Sequence, residues 1–228
     1  MPWGVVWIIA FVAVTSIGLY TSQLTRISSV RVLAAPYGDK QRLLNILKRL
    51  EPLPALQVDS TSVQRSIESK RFVRDSQFTR NVFGRAVLKV EYRKPVAWIR
   101  GTTGWFVDEE GVVFPSRGEK SPPIGVDKSV LPRSPLVTLG GPGLLQDAAL
   151  LAKAVQESGL NLHGVIWIDE RVRLCLNSSL GAKVTFGSGK DLDLKLKALK
   201  QALASEPSLL ESAKEVNLVV PDAPAVTR

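Results

Sequence analysis

From Trp3 to Tyr20 the chain carries no charged side chain, and this run constrains its architecture more than any other feature. Eighteen residues at a helical rise of ~1.5 Å span about 27 Å, close to the thickness of a bilayer core. Trp3 and Tyr20 at its ends suit the interfacial belts of a membrane helix. The run therefore reads as an uncleaved transmembrane helix over residues 5–20 behind a short cytoplasmic stretch, residues 1–4. A cleaved signal peptide would show a basic start and a small-x-small cleavage site, and neither is evident. Arg26 and Arg31 follow the run and no basic residue precedes it, which opposes an outward C-terminal region. Translocation of a long domain regardless of charge, or a start codon further upstream, reconciles the two. The expectation is a single-pass cell-membrane protein with its C-terminal domains outside.

The remaining chain, out of 228 residues in all, is long enough for two small domains. Its net charge of +9 is unevenly divided. Residues 21–100 hold 16 Lys and Arg against 6 Asp and Glu, whereas residues 101–228 hold 14 against 15. A basic module next to an apolar helix points to the cytoplasmic membrane's anionic lipid surface. Nucleic acid is the poorer match, because the basic residues are scattered and no aromatic-interleaved basic motif accompanies them. Cys175 is the single cysteine, which excludes a disulfide framework and a thiolate metal site.

Residues 27–99 read as a β-α-α-β-β module. Ile27 to Ala34 is a strand; Asp39 is an N-cap candidate for a helix over 40–50 that ends at Pro52 and Pro54; Asp59 caps a shorter helix carrying Val63 and Ile67. Phe72 to Thr79 and the alternating run Ala86 to Tyr92 form a hairpin turning at residues 81–84. Beyond it, Trp105 to Phe114 is a hairpin around an acidic turn, residues 116–135 an exposed loop, and Leu136 to Leu139 a brief strand. A helix covers residues 145–158, a second hairpin residues 164–176, and a strand residues 183–187. A helix over 191–205 turns Leu192, Leu196, Leu199 and Leu203 inward and Lys195, Lys197 and Lys200 outward. The last strand runs from Glu215 to Val220 and is stopped by Pro221 and Pro224. The fold class is thus α+β.

Nothing assembles into a catalytic or cofactor site. Gly187-Ser188-Gly189-Lys190 lacks the earlier glycine and the following hydroxyl of a phosphate loop and reads as a strand-to-helix turn. His163 is alone and has no nucleophile motif beside it. Asp108-Glu109-Glu110 reads as a solvated turn rather than a cation site. No catalytic residue, metal ligand or cofactor is expected, and an anchored binding protein remains.

Val30-Arg31-Val32, Leu56-Gln57-Val58-Asp59, Phe72-Val73 and the exit Lys89-Val90-Glu91-Tyr92-Arg93-Lys94-Pro95-Val96-Ala97 resemble a POTRA domain of the FtsQ/DivIB cell-division family. The resemblance extends through the Trp105 hairpin, Leu131-Pro132, Phe186-Gly187 with Lys195-Leu196, and Val216-Asn217-Leu218. It implies a POTRA-like domain over residues 21–100 and a β domain over 101–228. It further implies a non-enzymatic divisome scaffold at the septum, with FtsB/DivIC-like, FtsL-like and FtsW/FtsI-like partners. The family's final strand commonly reads Asp-Leu-Arg-Tyr where this chain has Asn217, Leu218, Val219 and Val220. An open final strand can be extended by a strand from another chain. Carried over by position, the partner-binding residues are Val216, Leu218 and Val220 on that strand and Ala225 and Val226 beyond it. Two other readings are a POTRA-containing chaperone or secretion component and a secreted enzyme with an uncleaved signal.

Overall fold

The computed structural model describes residues 3–22, 25–50, 53–131, 143–160 and 162–228, without the side chains of Leu19 and Tyr37. It divides into two compact units, Met1–Arg93 and Lys94–Arg228.

The first unit opens with helix α1 (Trp3–Thr21), apolar on every side and exposed wherever its side chains are described. Among the described residues no helix is long and apolar enough to cross a membrane. On that finding the expected transmembrane helix over residues 5–20, and the single-pass cell-membrane placement built on it, are withdrawn.

Three strands and two helices follow: β1 (Ser29–Leu33), α2 (Tyr37–Leu47), α3 (Ser60–Glu68), β2 (Val73–Arg80) and β3 (Arg85–Tyr92). The sheet order is β1-β3-β2, with β1 parallel and β2 antiparallel to β3. The alternation of β3 buries Ala86, Leu88 and Val90 against Leu43 and Leu47 of α2 and Val63 and Ile67 of α3. Asp59 caps α3 by accepting from Thr61 N at 3.0 Å and from the Ser62 hydroxyl at 2.5 Å. Helix α2 begins three residues earlier than expected, so Asp39 sits in its first turn and is not its cap. At the β2–β3 turn, Gly84 has φ +75° and its carbonyl accepts from Ser28 N at 2.8 Å.

The second unit is one mixed sheet with helices. Its strands are β4 (Ala97–Ile99), β5 (Trp105–Val107), β6 (Val113–Pro115), β7 (Ile124–Val126), β8 (Gly164–Ile168), β9 (Leu174–Ser178), β10 (Lys183–Gly187), β11 (Glu215–Asn217) and β12 (Ala225–Thr227). Helix α4 (Leu144–Glu157) precedes β8, and α5 (Leu192–Ser205) and α6 (Leu209–Ser212) join β10 to β11. The sheet order is β12-β11-β10-β9-β8-β7-β4-β5-β6. One face, carrying Ile124, Ile166, Leu176, Val184, Phe186 and Val216, shares its core with Leu151 and Val155 of α4 and Leu196 and Leu199 of α5. Strand β7 lies inside the stretch expected to be an exposed loop, yet all three of its residues are buried, because it runs parallel between β4 and β8. The strand expected at Leu136 to Leu139 lies outside the described residues.

Candidate partner-binding edge

The chain that should end in an open strand instead folds back on itself. Strand β11 runs parallel to β10, joined through α5 and α6, and pairs antiparallel with β12 on its other side. Val216 therefore sits between Val184 and Val226 and is fully buried. Leu218 is buried too, and its N–H donates to Thr185 O at 2.8 Å. The strand stops at Asn217, whose side-chain oxygen accepts from Val219 N at 3.0 Å and turns the backbone out of the ladder. Val220 lies past the strand in the bend, 57% exposed, and its carbonyl accepts from Ala223 N at 3.2 Å.

The unpaired edge belongs to β12. Ala225, Val226 and Thr227 are all exposed, Val226 at 43%. The strand is held by its ladder with β11, by Lys214 N donating to Thr227 O at 2.8 Å, and by Arg228, whose guanidinium reaches both carboxylate oxygens of Glu206 at 3.0 and 2.8 Å. Beside it, Ala198, Gln201, Ala202 and Ser205 of α5 face Pro221, Asp222 and Pro224 across a groove of about 420 Å³. Of the five sequence-derived residues, the fold brings Val216, Ala225 and Val226 onto adjoining strands and keeps Leu218 in the core. The tail strand was missed because Pro221 and Pro224 read as a stop. Proline is also tolerated just ahead of an edge strand, and a three-residue run of Ala, Val and Thr gave no stronger signal.

Glu215 tethers β11 from the face away from the helices. It accepts from the Thr185 hydroxyl at 2.8 Å and lies 3.5 Å from the Lys183 ammonium. The hydroxyl hydrogen bond, with the Lys183 charge and against the opposing effect of burial, holds its carboxyl below the ordinary glutamate value of 4.5. Because the folded value is depressed, this stabilisation is present above pH 4.5 and disappears as the pH falls through the folded value. In an acid titration Glu215→Gln should lower stability at neutral pH and flatten its decline below pH 4.5; an unchanged acid limb would remove Glu215 from that role.

The other residues weighed for chemistry are in structural use. Lys195 is buried, although the helical pattern placed it outward. Its ammonium donates to Ser188 O at 3.0 Å and Lys190 O at 2.7 Å, so carbonyls rather than N–H groups line the Gly187–Lys190 turn around it. A phosphate would meet the wrong dipoles there. Burial pushes the Lys195 amine below its ordinary value, with Asp191 opposing. Asp108 is buried and accepts from Val112 N at 2.8 Å and Glu110 N at 3.1 Å, which closes the β5–β6 turn. His163 is exposed, and Cys175 is core.

No protein-family profile matches the chain. A curated relative, the cell division protein FtsQ of Streptomyces griseus, is 28% identical over 178 residues, which cover 76% of this chain and 83% of the relative.

Proposed function

We propose that this chain is a non-enzymatic scaffold of the bacterial cell-division machinery, and that it receives another division protein by strand addition at β12. The observation that carries the reading is the edge itself: an exposed strand paired on one side only, beside a groove walled by α5 and the Pro221–Pro224 turn. Main-chain hydrogen bonds to β12 would supply affinity, and alternate side chains of the incoming segment would meet the groove. The division role is supported by the FtsQ relative, which matches along most of both chains. An extended segment of an FtsB/DivIC-like protein is the partner this reading favours. Val226 and Ala225 then meet the partner directly, while Val216 positions β12 from beneath.

The test is binding of the full chain to such a segment from the same organism, measured with Val226→Pro and Val226→Lys. Proline removes a ladder donor, and lysine blunts an edge without touching the backbone. Loss of one main-chain hydrogen bond corresponds to roughly tenfold in affinity. The expected result is that weakening in both variants, with circular dichroism unchanged. Full affinity in folded Val226→Pro would move the site away from β12.

A further inference from the structure

Within the second unit, the sheet face turned away from α4, α5 and α6 carries none of that unit's described α-helices, and the register lays its side chains out in cross-strand rows. One row runs Trp98, Gly125, Val165, Asn177, Lys183. The next begins with Arg100 and Asp127, whose N–H groups donate to Val126 O and Ile166 O, and continues through Trp167 and Cys175. Both indoles lie over a neighbouring strand instead of standing off the sheet. The Trp98 ring rests on Gly125, where a Cβ would come within 2.6 Å of Cε2 and Cζ2. Trp167 reaches across β9, donating from Nε1 to Asn177 Oδ1 at 2.9 Å, and the Lys183 ammonium lies over its ring, 5.4 Å from the centre. Strand spacing and rise put the two tryptophan Cα atoms about 12 Å apart.

Below Trp167 is a concavity of about 330 Å³ walled by Arg100, Asp127, Ser129, Val165 and Asn177. That size and lining, an aromatic wall with a few convergent polar groups, suit a small-ligand site. The charges here are matched: Arg100 lies 3.9 Å from Asp127 and Lys183 lies 3.5 Å from Glu215. A polyanion gains little from a face whose cations are already paired. An apolar helix would bury these polar groups without partners. What fits two flat indoles rimmed by an amide, a carboxylate, a guanidinium and a hydroxyl is a neutral polyhydroxylated ring, apolar on its C–H faces and hydrogen-bonding at its rim.

We propose that this face binds saccharide, specifically a linear β-linked hexopyranose chain. One sugar sits in the concavity against Trp167, beside the Lys183 ammonium, with its hydroxyls toward Asp127, Arg100 and Asn177, and a second unit along the chain meets Trp98. A β-1,4-linked chain is an extended ribbon that can follow a sheet, whereas an α-1,4-linked chain curls away from it. The proposal does not depend on the strand-addition reading, since it uses the sheet face and not β12.

The experiment is titration of the full chain, in a sugar-free detergent, with cellohexaose, chitohexaose and the α-linked maltohexaose, by calorimetry and by NMR of the five tryptophan indole N–H groups. The expected result is saturable binding of a β-linked hexamer that shifts the Trp98 and Trp167 resonances, with maltohexaose inert. Trp167→Ala should weaken it by roughly tenfold or more. Trp98→Phe and Trp167→Phe, which keep the packing, should weaken it less and keep the thermal unfolding unchanged. Absence of binding on the order of 10 mM β-linked hexamer, or binding indifferent to both tryptophans, overturns the proposal.

Discussion

Phe186→Ala should destabilise the second unit by about 3–5 kcal/mol, the range for removing a fully buried aromatic side chain. Phe186 is one of the largest side chains with no exposure, and it lies in β10 between the sheet and α5. Its neighbours Val184 and Val216 are held in the β9–β10–β11 ladders and Leu218 by its N–H to Thr185 O, so they cannot close around the void. The cavity cost therefore adds to the lost transfer energy. Calorimetry should show the transition of residues 94–228 moving down while that of the first unit stays in place. A loss below about 1 kcal/mol would mean that this core relaxes freely, contrary to the packing described.

Gly84→Val is the counterpart in the first unit. A Cβ at Gly84 would lie 1.9 Å from Arg26 O, and the residue's φ of +75° already disfavours a branched side chain. The obstacle is backbone on both sides, since the Gly84 carbonyl holds Ser28 N immediately ahead of β1. A loss above about 3 kcal/mol is expected, through loss of the β1–β3 pairing. Gly118→Ala supplies the control: its φ is +96° but nothing stands within 4 Å, so only the conformational cost of about 1 kcal/mol should appear. Equal losses at the two glycines, measured by urea unfolding, would show that the clash at Gly84 is relieved by movement.

Periodicity exposed the elements that bury one clean face. The alternation of residues 86–92, the Val63 and Ile67 pair behind Asp59, and the leucine stripe of α5 all correspond to buried faces in the structure. Lys195 broke the helical pattern because its long stem lies along the core while its ammonium finds carbonyls in the preceding turn. Strand β7 was hidden by length: three residues with a central glycine, next to Pro122 and Pro123, look like a loop until parallel neighbours cover both sides. The edge was misplaced by one strand for a related reason. Residues 215–220 carry the stronger apolar pattern because they are interior, while β12 shows only what water permits at an edge. The candidate saccharide face gave no sequence signal at all. Trp98, Asp127, Trp167 and Asn177 belong to separate strands, and the register alone brings them into neighbouring rows.

The way β12 is attached also sets how the unit responds to force. Tension on Arg228 directed away from the sheet would load the Glu206 ion pair and the Thr227 end of the β11–β12 ladder first. The hydrogen bonds would then break in succession, as a zipper opens, rather than sharing the load as strands sheared along their length do. A partner strand laid along β12 would turn that weak peeling edge into an interior seam. Occupancy of the edge would then decide whether β12 yields to a pull or transmits it.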